Sequence, residues 1–200
     1  MKVILLILIT SLSRLVFAQT NAIDDIKEFQ KKINKEFSDP STSPLEGKAL
    51  KKFRSLPFYN IDVNYRVVAK LRKTDGTDFK PMKTTTSRLA TDRVYGILEF
   101  TLNGKDIKIP VYQSKDLMAT AEWKDYLFFP FTDLTNNDGT YGGGRYIDLR
   151  IPTGDEIVVD FNKAYNPSCA YNPKYSCPLV PAENHIDIAI TAGVRYEGKH

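Results

Sequence analysis

The stretch Arg145-Tyr146-Ile147-Asp148-Leu149-Arg150-Ile151-Pro152-Thr153-Gly154-Asp155-Glu156-Ile157-Val158-Val159-Asp160-Phe161 decides the fold class. Ile147, Leu149 and Ile151 recur with a period of two, and so do Ile157, Val159 and Phe161. That period marks strands with one buried face. Pro152-Thr153-Gly154 separates the runs, and Gly154 suits the left-handed position of a three-residue hairpin loop. Placing both apolar sets on one face pairs Ile151 with Asp155, Arg150 with Glu156 and Tyr146 with Asp160. The expectation is a hairpin with a favourable Arg150–Glu156 cross-strand pair. It collects Tyr146, Asp160 and Asn162 at its far end.

Upstream, the same period recurs. Val63, Tyr65, Val67, Ala69 and Leu71 share one face of a strand over 62–72, and Asp75-Gly76 leads to a weaker strand near Met82–Thr86. Arg93 to Leu102 and Ile107 to Val111 flank Asn103-Gly104, the pair that favours a type I′ turn. Pro110 marks its strand as an edge or a bulge. Asp125 to Phe131 is an aromatic strand, and Trp123 beside it reads as a packing residue. Residues 132–144 form a loop. Its Asp133, Asn136, Asn137 and Asp138 lack the spacing and the bidentate glutamate of a calcium loop. Downstream, Ile186, Ile188 and Ile190 predict a closing strand over His185–Val194.

The N-terminal part is different. Ile26, Phe29, Ile33 and Phe37 recur at helical spacing and predict an amphipathic helix over 21–37, started by Asn21 and Asp24 as a capping pair. Residues 38–44 break it, and a helical turn follows over 46–53. Ahead of the helix, Lys2, the apolar run Val3–Thr10 and Val16-Phe17-Ala18 have the layout of a secretory signal peptide cleaved after Ala18. The apolar run is too short for a membrane span. The expected protein is therefore exported, without an integral membrane anchor. It consists of a leader (1–18) and a single β-rich domain (19–200), with a helical segment over 21–56 and a β-domain over 57–200. The fold class is mostly β, α+β by count: an antiparallel β-sandwich or partly closed barrel carrying an N-terminal amphipathic helix.

Composition excludes more than it identifies. A net charge of +4, of which the leader supplies two, is too weak to argue for nucleic acid. No phosphate loop, dinucleotide fingerprint, nucleophile elbow or zinc motif is present, so no cofactor or metal is expected. Cys169 and Cys177 are the only cysteines and stand eight positions apart. In an exported chain they read first as a disulfide, whose small loop would contribute about 2.5 kcal/mol. A reactive thiol and a metal site are the alternatives. A Cys–His pair would need His185, which reads better as a surface residue at a strand start. Arg145 points by alternation to the apolar side of its strand, so it needs a buried carboxylate or an anionic ligand. Asp133, Asp160 and Glu183 are the carboxylates available.

Phe128-Phe129-Pro130-Phe131-Thr132-Asp133, Tyr141-Gly142-x-Gly144-Arg145-Tyr146-x-Asp148, Asp160-Phe161-Asn162-x-Ala164-Tyr165-Asn166-Pro167-x-Cys169-Ala170-Tyr171, Cys177-Pro178 and Glu183-Asn184 follow one another in the chain. Together they resemble the family called domain of unknown function 1684, over about Ile26 to Gly193. His185 departs from the pattern, where arginine is usual. The resemblance brings no activity. It implies that Asp133, Tyr141, Arg145, Asp160, Asn162, Tyr165, Asn166, Cys169, Tyr171, Cys177, Glu183 and Asn184 belong to a recurrent design. Many members look cytoplasmic, which argues against a cysteine pair that serves only as a staple.

Two readings follow. In the first, these residues line a polar pocket for an unidentified small molecule, in binding or hydrolysis. Arg145 takes an anionic or carbonyl group, Asn162, Asn166 and Asn184 orient it, and Tyr165 and Tyr171 stack on it. In the second, the same residues are a structural clamp on a long C-terminal loop, in a structural or protein-interaction domain.

Overall fold

In the computed structural model, which describes the backbone of residues 2–198 and the side chains of residues 20–198, Asn103 and Gly104 both take positive φ (49° and 76°). This is the type I′ geometry that their sequence dictates. They join the two longest strands of the sheet, β3 (Leu89–Leu102) and β4 (Lys105–Ser114), with Leu102 opposite Lys105. The remaining strands are β1 (Arg66–Lys73), β2 (Lys80–Lys83), β5 (Tyr126–Asp133), β6 (Arg145–Arg150), β7 (Glu156–Asp160) and β8 (His185–Ile186). One mostly antiparallel sheet runs in the order β6-β5-β4-β3-β1-β7 and curls into a nearly closed barrel; β2 is added on β3, and β8 lies parallel to β5. Of the two expected architectures, sandwich and barrel, the barrel is the one formed.

The expected hairpin over 145–161 is not. β6 and β7 both exist, but each pairs elsewhere. β6 pairs with β5, from Phe131 opposite Arg145 to Tyr126 opposite Arg150, and β7 pairs with β1, from Arg66 opposite Asp160 to Lys70 opposite Glu156. They are the two margins of the sheet. Arg150 bonds Asp125 at 2.8 Å rather than Glu156, and Asp160 takes Arg66 at 2.8 Å. Gly154 is not among the residues of positive φ. Alternation fixed which side chains point inward, but it carried no information on which strand lies alongside.

Two cores result. Inside the barrel, Leu98, Phe100, Ile109, Val111, Phe129, Phe131, Ile147, Val159 and Phe161 pack with Ile186, Ile188 and Ile190. Outside it, Tyr112, Tyr126, Phe128 and Tyr146 are covered by chain 165–180. This is why β5 is buried on both faces. A bulge between Val94 and Gly96 divides β3 between these cores. Beyond it, Leu98 pairs with Ile109 inside; before it, Val94 pairs with Tyr112 outside. At Gly96 a Cβ would stand 2.7 Å from the carbonyl oxygen of Arg72, so only glycine allows β1 to approach the bulge.

The helix α1 runs Lys2–Ser38 without interruption, so Asn21 is inside it rather than a cap. No glycine or proline occurs in that span to end it earlier. The side chains of the predicted leader, residues 1–18, lie outside the described residues. Ile26, Ile33 and Phe37 are buried as the helical spacing requires. Asp25 on α1 bonds Lys163 at 2.7 Å and Arg66 at 3.2 Å, which ties the helix to the barrel. Among the described residues no helix is long and apolar enough to cross a membrane. The shorter helices are α2 (Gly47–Lys52) and α3 (Lys115–Met118).

The expected closing strand over 185–194 is regular only at β8. The rest is irregular although Ile186, Ile188 and Ile190 are buried as their alternation demands. Isolated backbone bonds, such as Leu134 N–H to the Ile188 carbonyl (3.2 Å) and Val194 N–H to the Ala164 carbonyl (2.8 Å), meet its backbone together with side chains. Pro110 is not on an edge strand, for β4 lies between β3 and β5; the β4–β5 ladder is instead reduced to Tyr112 opposite Phe128. The side chain of Asn184, fully buried, fills the gap. Its amide donates to the carbonyl oxygens of Pro110 (2.9 Å) and Pro130 (2.7 Å), and its oxygen accepts from the Tyr112 hydroxyl (2.9 Å). Neither proline can donate to a ladder, and one carboxamide bridges the strands instead. Replacing Asn184 by Ala strands these groups, and urea denaturation should record a loss of about 2–4 kcal/mol. Asn184→Asp keeps the shape but loses the donors, and should be at least as damaging.

Candidate functional site

Pairing of β5 with β6 sets Asp133, the last residue of one, near Arg145, the first residue of the other. Both side chains are completely buried. Arg145 Nη2 donates to Asp133 Oδ2 at 2.7 Å and to the Ile190 carbonyl at 2.9 Å, while Nη1 donates to the Ala192 carbonyl at 2.5 Å. Its guanidinium lies over the Phe131 ring, 5.2 Å from the centroid. Asp133 Oδ1 accepts from Thr135 N (2.9 Å), Thr135 Oγ1 (2.6 Å) and Ile190 N (3.2 Å). The ion pair therefore holds chain 190–192 from both sides.

A second cluster sits where β7 ends and β1 begins. Asp160 accepts from Arg66 and, through its other oxygen, from both the backbone (3.0 Å) and side chain (2.8 Å) of Asn162. Asn162 also exchanges two bonds with the backbone of Asp62, at 2.8 and 3.0 Å. Elsewhere, Tyr165 and Tyr126 hydroxyls both donate to Asp148 Oδ1 at 2.7 Å. The Asn166 amide donates to the Tyr171 hydroxyl (3.0 Å) and the Arg195 carbonyl (3.1 Å). Burial pushes the Tyr171 phenol up to about 12. Tyr165 and Asn166 line a cavity of about 270 Å³ under α1, with Phe29, Phe37, Trp123 and Asp148.

The expected disulfide is not formed here: Cys169 and Cys177 are free thiols. The backbone N–H of Cys169 donates to Cys177 Sγ at 3.2 Å, and the thiols hydrogen-bond each other. Tyr141 stands beside them, its hydroxyl on Cys169 and its ring edge-on to Tyr196 at 5.3 Å. His185 partners Thr132 Oγ1 through Nδ1 at 3.0 Å. No group of three metal-ligating side chains occurs among the described residues.

Glu183 stands apart from the rest of the predicted set. With Asp92, Tyr112, Met82, Val94 and Leu179 it lines a larger cavity, about 710 Å³, between β2, β3, β4 and chain 179–183. Tyr112 donates toward Glu183 Oε1 at 3.4 Å, and burial followed by that carboxylate raises its phenol pKa. Asp92 was not singled out from sequence. It is 6% exposed, and its Oδ2 has no hydrogen-bond partner. Burial pushes its carboxyl up to about 6, opposed by the charge of Arg88 and a hydrogen bond with Ser114 and reinforced by Asp116. Arg145 Nε and Asn166 Oδ1 are the other unpartnered buried side-chain atoms among the described residues, but each belongs to a group bonded through its other atoms. The available sequence signal was parity: Ala90, Asp92 and Val94 alternate on one face, and an acid in that row is out of place.

The family model of a protein of unknown function, DUF1684, matches residues 51–195, and the chain belongs to that family. All of α1 lies upstream of the match. Among solved structures, the chain is similar to the solution NMR structure of an uncharacterized protein of Haloarcula marismortui. The two are 29% identical with a TM-score of 0.72, over 92% of this chain and 98% of the other. No curated protein matches.

Arg145→Ala should leave Asp133 buried and unpaired and release two backbone carbonyls. A loss of about 3–5 kcal/mol in chemical denaturation is expected. Replacing the pair together, Asp133→Leu with Arg145→Met, should cost less than the single change, because no lone charge remains buried.

Proposed function

We propose that this domain binds a small molecule bearing a basic nitrogen in the cavity lined by Asp92, Tyr112 and Glu183. The observation that carries the proposal is the buried Asp92 carboxylate, whose Oδ2 has no hydrogen-bond partner. A buried carboxylate oxygen without a donor costs stability, and a domain retains one where something else uses it. An entering ammonium group supplies the missing partner, and Met82, Val94 and Leu179 offer it an apolar body contact. Lys80 and Lys83 stand on exposed β2 beside the same cavity, where an acidic substituent of the ligand would meet them. The volume falls within the usual range for small-molecule sites. The clamp reading applies to the remaining sequence-predicted residues: Asp133, Arg145, Asp160, Asn162 and Asn184 are buried and bonded to the chain itself.

The linkage has a definite sign. Folding raises the Asp92 pKa, so the folded state holds this proton more tightly than the unfolded chain. Stability therefore falls as pH rises from the ordinary carboxylate range to about 6, and the whole penalty is present above that. Asp92→Asn should raise stability at pH 8 by about 1–3 kcal/mol and have little effect below pH 4. The same variant should lose binding. Small primary amines and their alcohol counterparts can be titrated into labelled protein and followed by NMR. Amines should bind at least tenfold more tightly, with shifts at Met82 and Tyr112, and the preference should vanish in Asp92→Asn and below pH 6. Equal binding of alcohols, or shifts confined to other surfaces, overturns the proposal.

The proposal includes export. The protein recovered outside the cytoplasm of its native host should begin at Gln19 by N-terminal sequencing. A protein that still begins at Met1 and stays in the cytoplasm contradicts it. Cleavage there would spare the buried stripe Ile26, Ile33 and Phe37.

A further inference from the structure

We propose that Cys169 and Cys177 form a thiol–disulfide exchange pair, Cys169 attacking and Cys177 resolving, that reacts with low-molecular-weight disulfides. Position makes the two thiols unequal. Cys169 is half-buried on a single helical turn, Ser168–Ala170, whereas Cys177 is buried in the outer aromatic core. Cys177 is held there by its backbone: its N–H donates to Thr85 Oγ1 at 3.1 Å, and its carbonyl accepts from Thr85 N at 2.8 Å. The Cys169 sulfur has the Cys177 thiol and the Tyr141 hydroxyl beside it as donors, whereas the Thr85 hydroxyl donates to the Tyr175 carbonyl at 3.1 Å. Donors of this kind favour the thiolate, which is the nucleophilic form. The Cys177 thiol lowers the Cys169 pKa most and outweighs burial, while the Cys177 thiol is itself pushed up. The Cys169 backbone N–H already reaches the Cys177 sulfur at 3.2 Å, so the two residues stand close enough for a disulfide to be considered between them.

The reaction balances with a small disulfide RSSR as the oxidant. The Cys169 thiolate attacks one sulfur of RSSR, forms a mixed disulfide and expels RS⁻. The Cys177 thiol gives its proton to the expelled thiolate and attacks the Cys169 sulfur. That step forms the Cys169–Cys177 disulfide and expels the second RS⁻, which takes a proton from water. Two protein thiols are oxidised and one RSSR is reduced to two thiols. The half-buried position of Cys169 admits a small disulfide more readily than a protein-borne one.

The test uses the reduced full chain and oxidised glutathione at pH 7, with acid quenching and intact mass. Wild type should close to the intramolecular disulfide with release of two equivalents of glutathione. Cys177→Ser should stop at a glutathione adduct that peptide mapping places on Cys169. Cys169→Ser should react at least tenfold more slowly. Tyr141→Phe should slow the first step several-fold at pH 7 and recover the rate near pH 9, a dependence that a merely structural tyrosine would not produce. If Cys177→Ser loses its folded circular dichroism, the transient adduct in wild type, mapped during a quenched time course, decides the order of attack. Equal rates for the two serine variants, an adduct mapped to Cys177, or native protein isolated fully bonded and resistant to mild reductant each overturn the proposal.

Discussion

The buried Asp133–Arg145 pair is the interaction on which the closure of the barrel depends. Chain 186–192 must enter the barrel because Ile186, Ile188, Ile190 and Ala192 have nowhere else to bury. Only its first residue finds a strand; the Ile188 carbonyl takes the Leu134 N–H at 3.2 Å, but the Ile190 and Ala192 carbonyls arrive in an apolar interior without ladder donors. A guanidinium is suited to this position. It presents several donors in one plane and divides them among Asp133, Ile190 and Ala192. The carboxylate offsets the buried charge and also takes the Ile190 N–H. Desolvating such a pair is costly, so its contribution lies less in net stability than in fixing where the last segment sits.

The same substitution of side chains for ladder recurs at two other places. Asn184 bridges the strands parted at Pro110 and Pro130, and Asn162 joins the end of β7 to the approach of β1. Each of these side chains meets backbone that a regular strand would have satisfied. A barrel with a margin between β6 and β7, two prolines in neighbouring strands and an irregular closing segment needs such devices. Their residue types are the amides and the paired charges that stood out in the sequence.

Local order was legible in that sequence; partnership was not. The α1 stripe and the Asn103-Gly104 turn depend on residues within a few positions of one another, and periodicity or turn chemistry specifies them completely. Strand faces were equally readable: Ile147, Leu149, Val159 and Phe161 are inside, as alternation requires. The partner of β6 could not be read. β7 is nearer in sequence, but β5, buried on one face by the barrel interior and on the other by chain 165–180, has two edges to satisfy, and β6 takes one along its length while β4 meets the other at Tyr112–Phe128. Arg145 was recognised as needing a carboxylate, and Asp133 was among those named. Whether the pair faced a ligand or the chain depended on residues 190–192, which were expected to form a strand and so to need no help. The bulge at Tyr95 was invisible, and with it the transfer of Asp92 to the outer face.

That bulge separates two kinds of polar burial in this protein. Where a buried polar group is bonded to the chain, removing its partner damages the fold, and the group is accounted for by the fold. Asp92 has a different status. It lies on the face that the bulge turns outward, beneath chain 179–183, in a cavity whose other carboxylate, Glu183, does not neutralise it. Proteins are locally consistent almost everywhere, and an inconsistency left uncompensated needs a reason outside folding. A group that destabilises the empty protein and gains a partner only when a ligand enters is such a reason. The conspicuous residues of the C-terminal motifs build the wall. The inconspicuous aspartate in a strand without a motif is the group whose Oδ2 the wall leaves without a donor.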